Sequence, residues 1–238
     1  MSGLTLGAVR TLCIDTSAGS AVAVHDSVGG VLARVRVADP RGHAERLTPL
    51  ISEALDQAGV GIDEIDRVAV GTGPAPFTGL RVGLVTARAV ARARGIPVYG
   101  VCSLDLLARQ VLDEHPHATV LVATDARRRE VYTARYRSLG EHDVSRLDGP
   151  HVGPAAEAAA GQSAGSDVPE VVAGAGAVLY ADVLPPSPGV AEQVDPAVLA
   201  RVVAVRLARA DQEVELDTEP RYLRRPDVSV AAARKRAT

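Results

Sequence analysis

Residues 68–94, VAVGTGPAPFTGLRVGLVTARAVARAR, decide the fold, because an apolar strand runs into a Gly/Pro turn and the turn opens a helix. Gly73 and Pro74 stop any helix continuing from the strand. Thr78 is placed to cap the helix that follows, with Phe77 and Val82 closing a hydrophobic staple around it. Gly79, Gly83, Ala87 and Ala91 then recur every four residues, a stripe that admits another backbone closely at a cost in helix propensity. A glycine turn before a helix invites a phosphate-cradle reading, but the P-loop needs Lys-Ser or Lys-Thr after its last glycine. Here Leu80 and Arg81 follow Gly79, and the chain's one lysine is Lys235, so a lysine-dependent phosphate site is nearly excluded.

Working outward, 238 residues allow one large domain or two small ones, and 47% hydrophobic content with net charge −3 describes an ordinary globule. With no Trp and one Phe, the core must be built from Val, Leu, Ile and Ala, which favours α/β architecture. Apolar runs fall short of the ~20 residues of a membrane span, and the first ten residues lack a signal-peptide core, so a cytoplasmic protein is expected. Cys13 and Cys102 make neither a metal spacing nor a disulfide framework and are read as reduced, buried and inert. Positive charge is nearly all arginine, as a GC-rich genome would give. Arg81, Arg88, Arg92 and Arg94 make one helix basic, yet the overall charge and scarce aromatics argue against a dedicated nucleic-acid surface.

Residues 9–15, 20–25 and 31–37 read as a three-stranded meander. Residues 43–59 carry Leu47, Leu50, Ile51, Ala54, Leu55 and Ala58 at helical spacing and end at a glycine. Strand 67–71, helix 78–94 and strand 96–101 complete a βββαβαβ half. The second half starts with a helix from 103 to about 113, then strand 119–124, the turn DARRRE and strand 131–137, a partial repeat of the opening. Residues 138–169 give one Ala-rich helix near 154–160 and no other boundary. A strand at 170–173 runs into Gly-Ala-Gly-Ala, and Asp195 with Pro196 starts a last helix to 210.

A meander opening with Asp-Thr-Ser, then helix, strand, helix, and a later strand-turn-strand with Asp in the turn, resembles the half-domains of actin-like ATPases. More narrowly, CIDTSAGSAVAV, HAERLTPLISEAL, GTGPAPFTGLRVG, IPVYGVCSLDLLA, TDARRREVYTARY and PRYLRRPD follow the order and spacing of the TsaB (YeaZ-like) family of tRNA threonylcarbamoyladenosine biosynthesis. The family's GPGSFTGLR is GPAPFTGLR here. Ala75 and Pro76 replace Gly-Ser, and Pro76 removes one amide donor, which puts anion binding by this turn in doubt.

The resemblance implies an α/β fold of two actin-like (ribonuclease H-like) lobes, each a mixed sheet with flanking helices. It places an N-terminal lobe at 1–103 with the partner-binding helices, a smaller lobe at 104–217, and a segment at 218–238 returning toward the first lobe before a basic tail. It implies a non-catalytic subunit without cofactor or metal, which associates with the paralogue TsaD, the subunit that transfers threonylcarbamoyl to adenosine 37 of tRNAs reading ANN codons. TsaE in a ternary complex, a homodimer in isolation, and tRNA only through the complex are the other implied partners. The expected interface is Leu47, Leu50, Ile51 and Leu55 as knobs, with Thr78, Gly79, Arg81, Gly83, Ala87 and Val90 around a shallow groove. The alternative that periodicity leaves open is that the small stripe faces its own sheet.

By the same resemblance, Asp15, Thr16 and Ser17 stand where the first phosphate loop of an actin-like ATPase would be, and Asp125 where the second would be. They read either as vestigial nucleotide loops or as simple turn caps. The metal-binding His-x-x-x-His of TsaD falls on Ser103 and Leu107, neither of which replaces an imidazole. His115 and His117 are too few to hold a metal alone. An actin-like small-molecule kinase is the alternative function, since Asp15 and Asp125 could hold Mg²⁺. A glycoprotease lacks its constellation. A direct tRNA-binding module would rest on Arg127, Arg128 and Arg129 alone.

Overall fold

In a computed structural model, residues 7–37, 43–160, 170–209 and 215–224 are described. The opening strands, β1 (Arg10–Asp15), β2 (Ser20–Asp26) and β3 (Gly30–Val37), form an antiparallel meander, and β4 (Arg67–Gly71) and β5 (Val98–Val101) extend it in parallel, in the order β3-β2-β1-β4-β5. The second sheet repeats the plan. β6 (Thr119–Asp125), β7 (Glu130–Leu139) and β8 (Asp143–Pro154) are antiparallel, β9 (Glu170–Ala173) adds in parallel beside β6, and the order is β8-β7-β6-β9.

The period of two along the strands sorts residues by size as well as polarity. Leu12, Ile14, Val22, Val24, Val68 and Val70 face one side of the first sheet, where α1 (His43–Ala58) and α2 (Phe77–Arg94) cover them. Cys13, Ala23 and Ala69 face the other side, and their small side chains let α6 (Val198–Leu207) pack onto the sheet. The second sheet meets the same central layer: Leu104 and Leu107 of α3 (Ser103–Glu114) share one buried cluster with Leu199 and Val203 of α6 and with Val120, Val122 and Tyr136. Two short helices, α4 (Ala155–Ala160) and α5 (Ala175–Leu179), cover the far face. The layers run helices, sheet, helices, sheet, helices.

Several boundaries differ from the sequence reading. α2 begins at Phe77 with Pro76 in the cap position and no side-chain cap, so Thr78 lies within the first turn instead of capping it. Proline fits there because a helix start has no acceptor for its missing N–H. Phe77 stacks on Tyr222, its ring centroid 4.6 Å away, in place of the predicted staple. α6 starts at Val198, because Asp195 Oδ1 accepts from Ala197 N at 2.9 Å and folds a tight turn first. Residues 143–154, given no element by the sequence, form the outer strand β8. α6 ends at Leu207, short of the predicted end at 210, and the tail beyond 224 lies outside the described residues.

Residues 215–224 form a strap across the parallel edge of the first sheet. Gly100 N donates to Leu216 O at 2.9 Å, and Arg221 N donates to Thr72 O at 2.9 Å. The approach is so close that a Cβ on Gly100 would collide with Asp217 O.

Candidate functional site

Asp15 ends β1 with its side chain buried. Its Oδ1 accepts from Ser17 N (2.9 Å) and Ser17 Oγ (2.5 Å), and its Oδ2 accepts from Ser103 Oγ at 2.7 Å. Ser103 Oγ also accepts from Gly73 N at 3.2 Å, so the start of α3, the glycine turn and the first hairpin are tied through one carboxylate. Asp125 holds the corresponding position at the end of β6. Its Oδ1 accepts from Arg127 N at 2.8 Å, and its Oδ2 pairs with Arg127 Nη1 at 3.2 Å. Both carboxylates are engaged by donors of their own loops.

Thr16 explains the small-residue stripe. Its Oγ1 donates to Gly79 O at 2.9 Å, and a Cβ on Gly83 would collide with Thr16 Oγ1. Gly79, Gly83 and Ala87 therefore face their own sheet and hairpin, and Leu47, Leu50, Ile51 and Leu55 are likewise buried against the first sheet, at most 8% exposed. This corrects the expectation that these side chains form a groove and knobs open to a partner. Periodicity identifies the tight face of a helix without saying which neighbour fills it. Of the predicted interface residues, Thr78 and Arg81 are exposed and Val90 is half-buried. The outer faces carry Glu45, Arg46, Glu53 and Asp56 on α1, and Arg81, Val85, Arg88 and Arg92 on α2.

Three motifs far apart in sequence converge at the start of α2. Pro76 and Phe77 of the glycine turn, Arg127 and Arg128 of the β6–β7 turn, and Tyr222 and Arg224 of the strap line a cleft of about 240 Å³. Arg81 lies over the Phe77 ring, 3.7 Å from its centroid, and donates through Nε to Tyr222 Oη at 2.7 Å. Arg127, Arg128 and Arg129 all have left-handed backbone, with φ of 62°, 56° and 63°. Such conformations cost about 1–2 kcal/mol per non-glycine residue and gather at functional sites. The turn is held by Ala126 N donating to Glu130 O at 2.9 Å and Glu130 N to Arg127 O at 3.1 Å.

An ionic network that sequence reasoning missed ties α3 to β7, β8 and α6. Asp105, 3% exposed, accepts from Arg146 at 2.7 Å, Arg206 at 2.9 Å and Tyr136 Oη at 2.9 Å. Asp143 pairs with Arg206 at 3.0 Å and Arg209 at 3.2 Å. Burial alone would raise the Asp105 carboxyl, but Arg146 and Arg206 together hold it below its ordinary value, while burial and Asp105 push the Tyr136 phenol well up. One signal was legible: Arg206 interrupts the apolar stripe of α6, three and four residues after Val203 and Val202. Arginines attributed to genome composition are thus in part structural.

The two thiols are pushed up to about 12, burial being the chief cause for each. Among the described residues, no group of three or more His, Cys, Asp and Glu side chains is arranged to hold a metal ion, and no helix is long and apolar enough to cross a membrane.

Two mixed sheets of repeated plan around a shared helical layer, with an Asp at the end of each first strand, define an actin-like, ribonuclease H-type α/β protein. The family model TsaD, tRNA N6-adenosine threonylcarbamoyltransferase, matches residues 13–179. An uncharacterized protein of Mycobacterium tuberculosis is 42% identical over 226 residues, covering 93% of this chain and 94% of its own length. The TsaB protein of Escherichia coli, named for tRNA threonylcarbamoyladenosine biosynthesis, is 33% identical over 129 residues, 54% of this chain and 55% of that protein. YeaZ from Pseudomonas aeruginosa superposes with TM-score 0.73 at 28% identity, over 90% of this chain and all of that one. The chain belongs to this family, in its TsaB/YeaZ-like branch. Mycobacterial relatives fit the arginine-rich, lysine-poor composition of a GC-rich bacterium.

Proposed function

We propose that this chain serves tRNA threonylcarbamoyladenosine biosynthesis as a non-catalytic subunit, binding a TsaD-type transferase that moves threonylcarbamoyl onto adenosine 37 of ANN-reading tRNAs. The observation that carries the non-catalytic part is the state of Asp15. Its carboxylate is buried and shared between Ser17 and Ser103, where a phosphate-handling member of this fold would turn a carboxylate toward hydrated Mg²⁺. Ser103, in the register of the first metal-binding histidine of TsaD, is committed to Asp15 instead. Asp15, Thr16, Ser17 and Asp125 are accordingly vestiges of nucleotide loops, kept as turn and packing residues.

Association is then the working role, and the surface for it is the outer face of α1 and α2, whose inner residues Leu47, Leu50, Leu55, Gly83 and Ala87 keep the two helices rigid on the sheet. Used for a homodimer in isolation and for the TsaD-type heterodimer, one surface makes the two assemblies compete. TsaE joins in a ternary complex, tRNA is met only through the assembly, and the work is cytoplasmic. The test mixes cognate TsaD and TsaE, tRNA, ATP and threonylcarbamoyl-adenylate, then counts modified adenosine with and without this chain. Modification that requires the chain is expected, and equal modification without it overturns the reading.

A further inference from the structure

A segment of the second half reaches across to the first sheet. Residues 191–195 run past the end of β9, where Gly174 N donates to Ala191 O at 3.1 Å and Ala175 N to Glu192 O at 2.8 Å. Arg34 and Arg36 of β3 hold the same segment from the other side. Arg34 Nε pairs with Asp195 Oδ2 at 2.9 Å, Arg36 Nη1 donates to Gln193 Oε1 at 3.0 Å, and Arg36 Nη2 donates to Val194 O. The period of two puts both arginines on one face of β3, beside Ala21 and Ala23 of β2, whose small side chains do not obstruct them. Val194 is 6% exposed and belongs to the central apolar cluster, and Asp195 N donates to Gln110 Oε1 of α3 at 2.8 Å, so the segment is seated along its length. Between Asp15, Gly19, Arg36 and Val194 there is a gap of about 10 Å³, room for no more than one water.

We infer that residues 191–195 are a built-in bridge, which clips β3 and β9, the outer strands of the two sheets, to each other through Arg34 and Arg36 and keeps the space beside Asp15 shut. The inference extends the non-catalytic reading proposed above, since the two amides after β9 and the gap beside Asp15 are taken up by the chain itself. The central apolar cluster already joins the sheets along α3 and α6, so the bridge acts at their margin. Its contacts differ in kind from that cluster. They are single polar bonds, the Arg34 side chain is 56% exposed, and contacts of this type are weak and screened by salt. The margin is therefore the part of the joint that opens first, while the apolar cluster stays closed. β3 also packs against α1, so the bridge fixes one edge of the layer that carries the proposed partner surface.

The experiment follows hydrogen exchange by mass spectrometry in the full chain, for wild type, Arg36→Ala, the double variant Arg34→Ala/Arg36→Ala and, as a control, Arg92→Ala on the exposed face of α2. Thermal melts accompany each. The double variant is expected to exchange roughly 5-fold faster at Gly174, Ala175 and residues 191–195, with α3 protected as in wild type and a native-like melt, because a local contact is lost and the core is not. Arg36→Ala is expected to show the same pattern at smaller size, and carries the test if the double variant does not fold. Arg92→Ala is expected to match wild type. Unchanged exchange at Gly174, Ala175 and residues 191–195 overturns the bridge and leaves the non-catalytic reading standing, as does faster exchange spread evenly over the chain. A wild-type melt raised by Mg·ATP overturns the bridge and the non-catalytic reading together, because a nucleotide would then enter the space that the bridge is inferred to shut.

Discussion

The two sheets share a plan and differ in what holds them. Each is a meander extended by a parallel strand beside its first strand. The outer face of the first is covered by helices of 16 and 18 residues, that of the second by helices of 6 and 5. The buried clusters follow: among the described residues, seventeen apolar side chains pack between the first sheet and α1 and α2, against seven on the far face of the second. The second half also carries a buried network of several ion pairs, with Asp105 and Asp143 bracketed by Arg146, Arg206 and Arg209. The outer face of the first sheet thus rests on more apolar burial than that of the second, while the second half adds a paired charge network to the large apolar cluster between the sheets. Apolar burial tolerates modest change, whereas a charge network fails when one member is removed.

The largest effect that tests this contrast is Asp105→Ala. It removes the buried carboxylate that Arg146 and Arg206 share, leaving Arg206 with Asp143 alone and Arg146 with the more distant Glu215, and should lower stability by about 3 kcal/mol in urea denaturation. A loss below 1 kcal/mol would show that the second half does not depend on its ions. In the first half, Gly83→Leu drives a side chain into Thr16 and should cost about 1–3 kcal/mol, read in the same denaturation series.

Acid sharpens the comparison further. The Asp105 carboxyl lies below its ordinary value of 3.8 in the folded chain, so its contribution is present at neutral pH and is lost as pH falls through the folded value. Hydrogen exchange at decreasing pH should show β6–β9 losing protection before β1–β5. Protection lost together in both sheets would mean that the halves unfold as one unit.

Ser103→Ala removes a hydrogen bond to the buried Asp15 and should cost about 1–3 kcal/mol, near the lower end because Ser17 still donates twice. The smallest signal comes from the cysteines. With both thiols buried and pushed up to about 12, a thiol reagent at pH 8 should label neither Cys13 nor Cys102 until the chain unfolds. Rapid labelling of one would locate a local opening in its half.

Much of this was legible in advance wherever one helix or hairpin carries its own signal. The leucine stripe of α1, the Gly/Pro turn before α2 and the alternating strands β1 to β3 all fell near their observed places. β8 did not, because Gly149, Pro150 and Gly153 interrupt its alternation, and pairing with β7 holds it extended. The cleft was not legible either. Its lining residues were each visible in a quoted motif, but their meeting depends on the strap crossing β5 and α2, a contact between residues more than a hundred positions apart.

The sequence by itself determined the order of elements, the repeated plan and the family, because periodicity, turn chemistry and motif order are local or linear properties of the chain. Only the tertiary structure decided which neighbour each tight face meets, which arginines are buried, and that Phe77, Arg128 and Tyr222 border one cleft. Those outcomes depend on close packing and charge pairing between distant segments, and a helical or strand period carries no information about what lies across the contact.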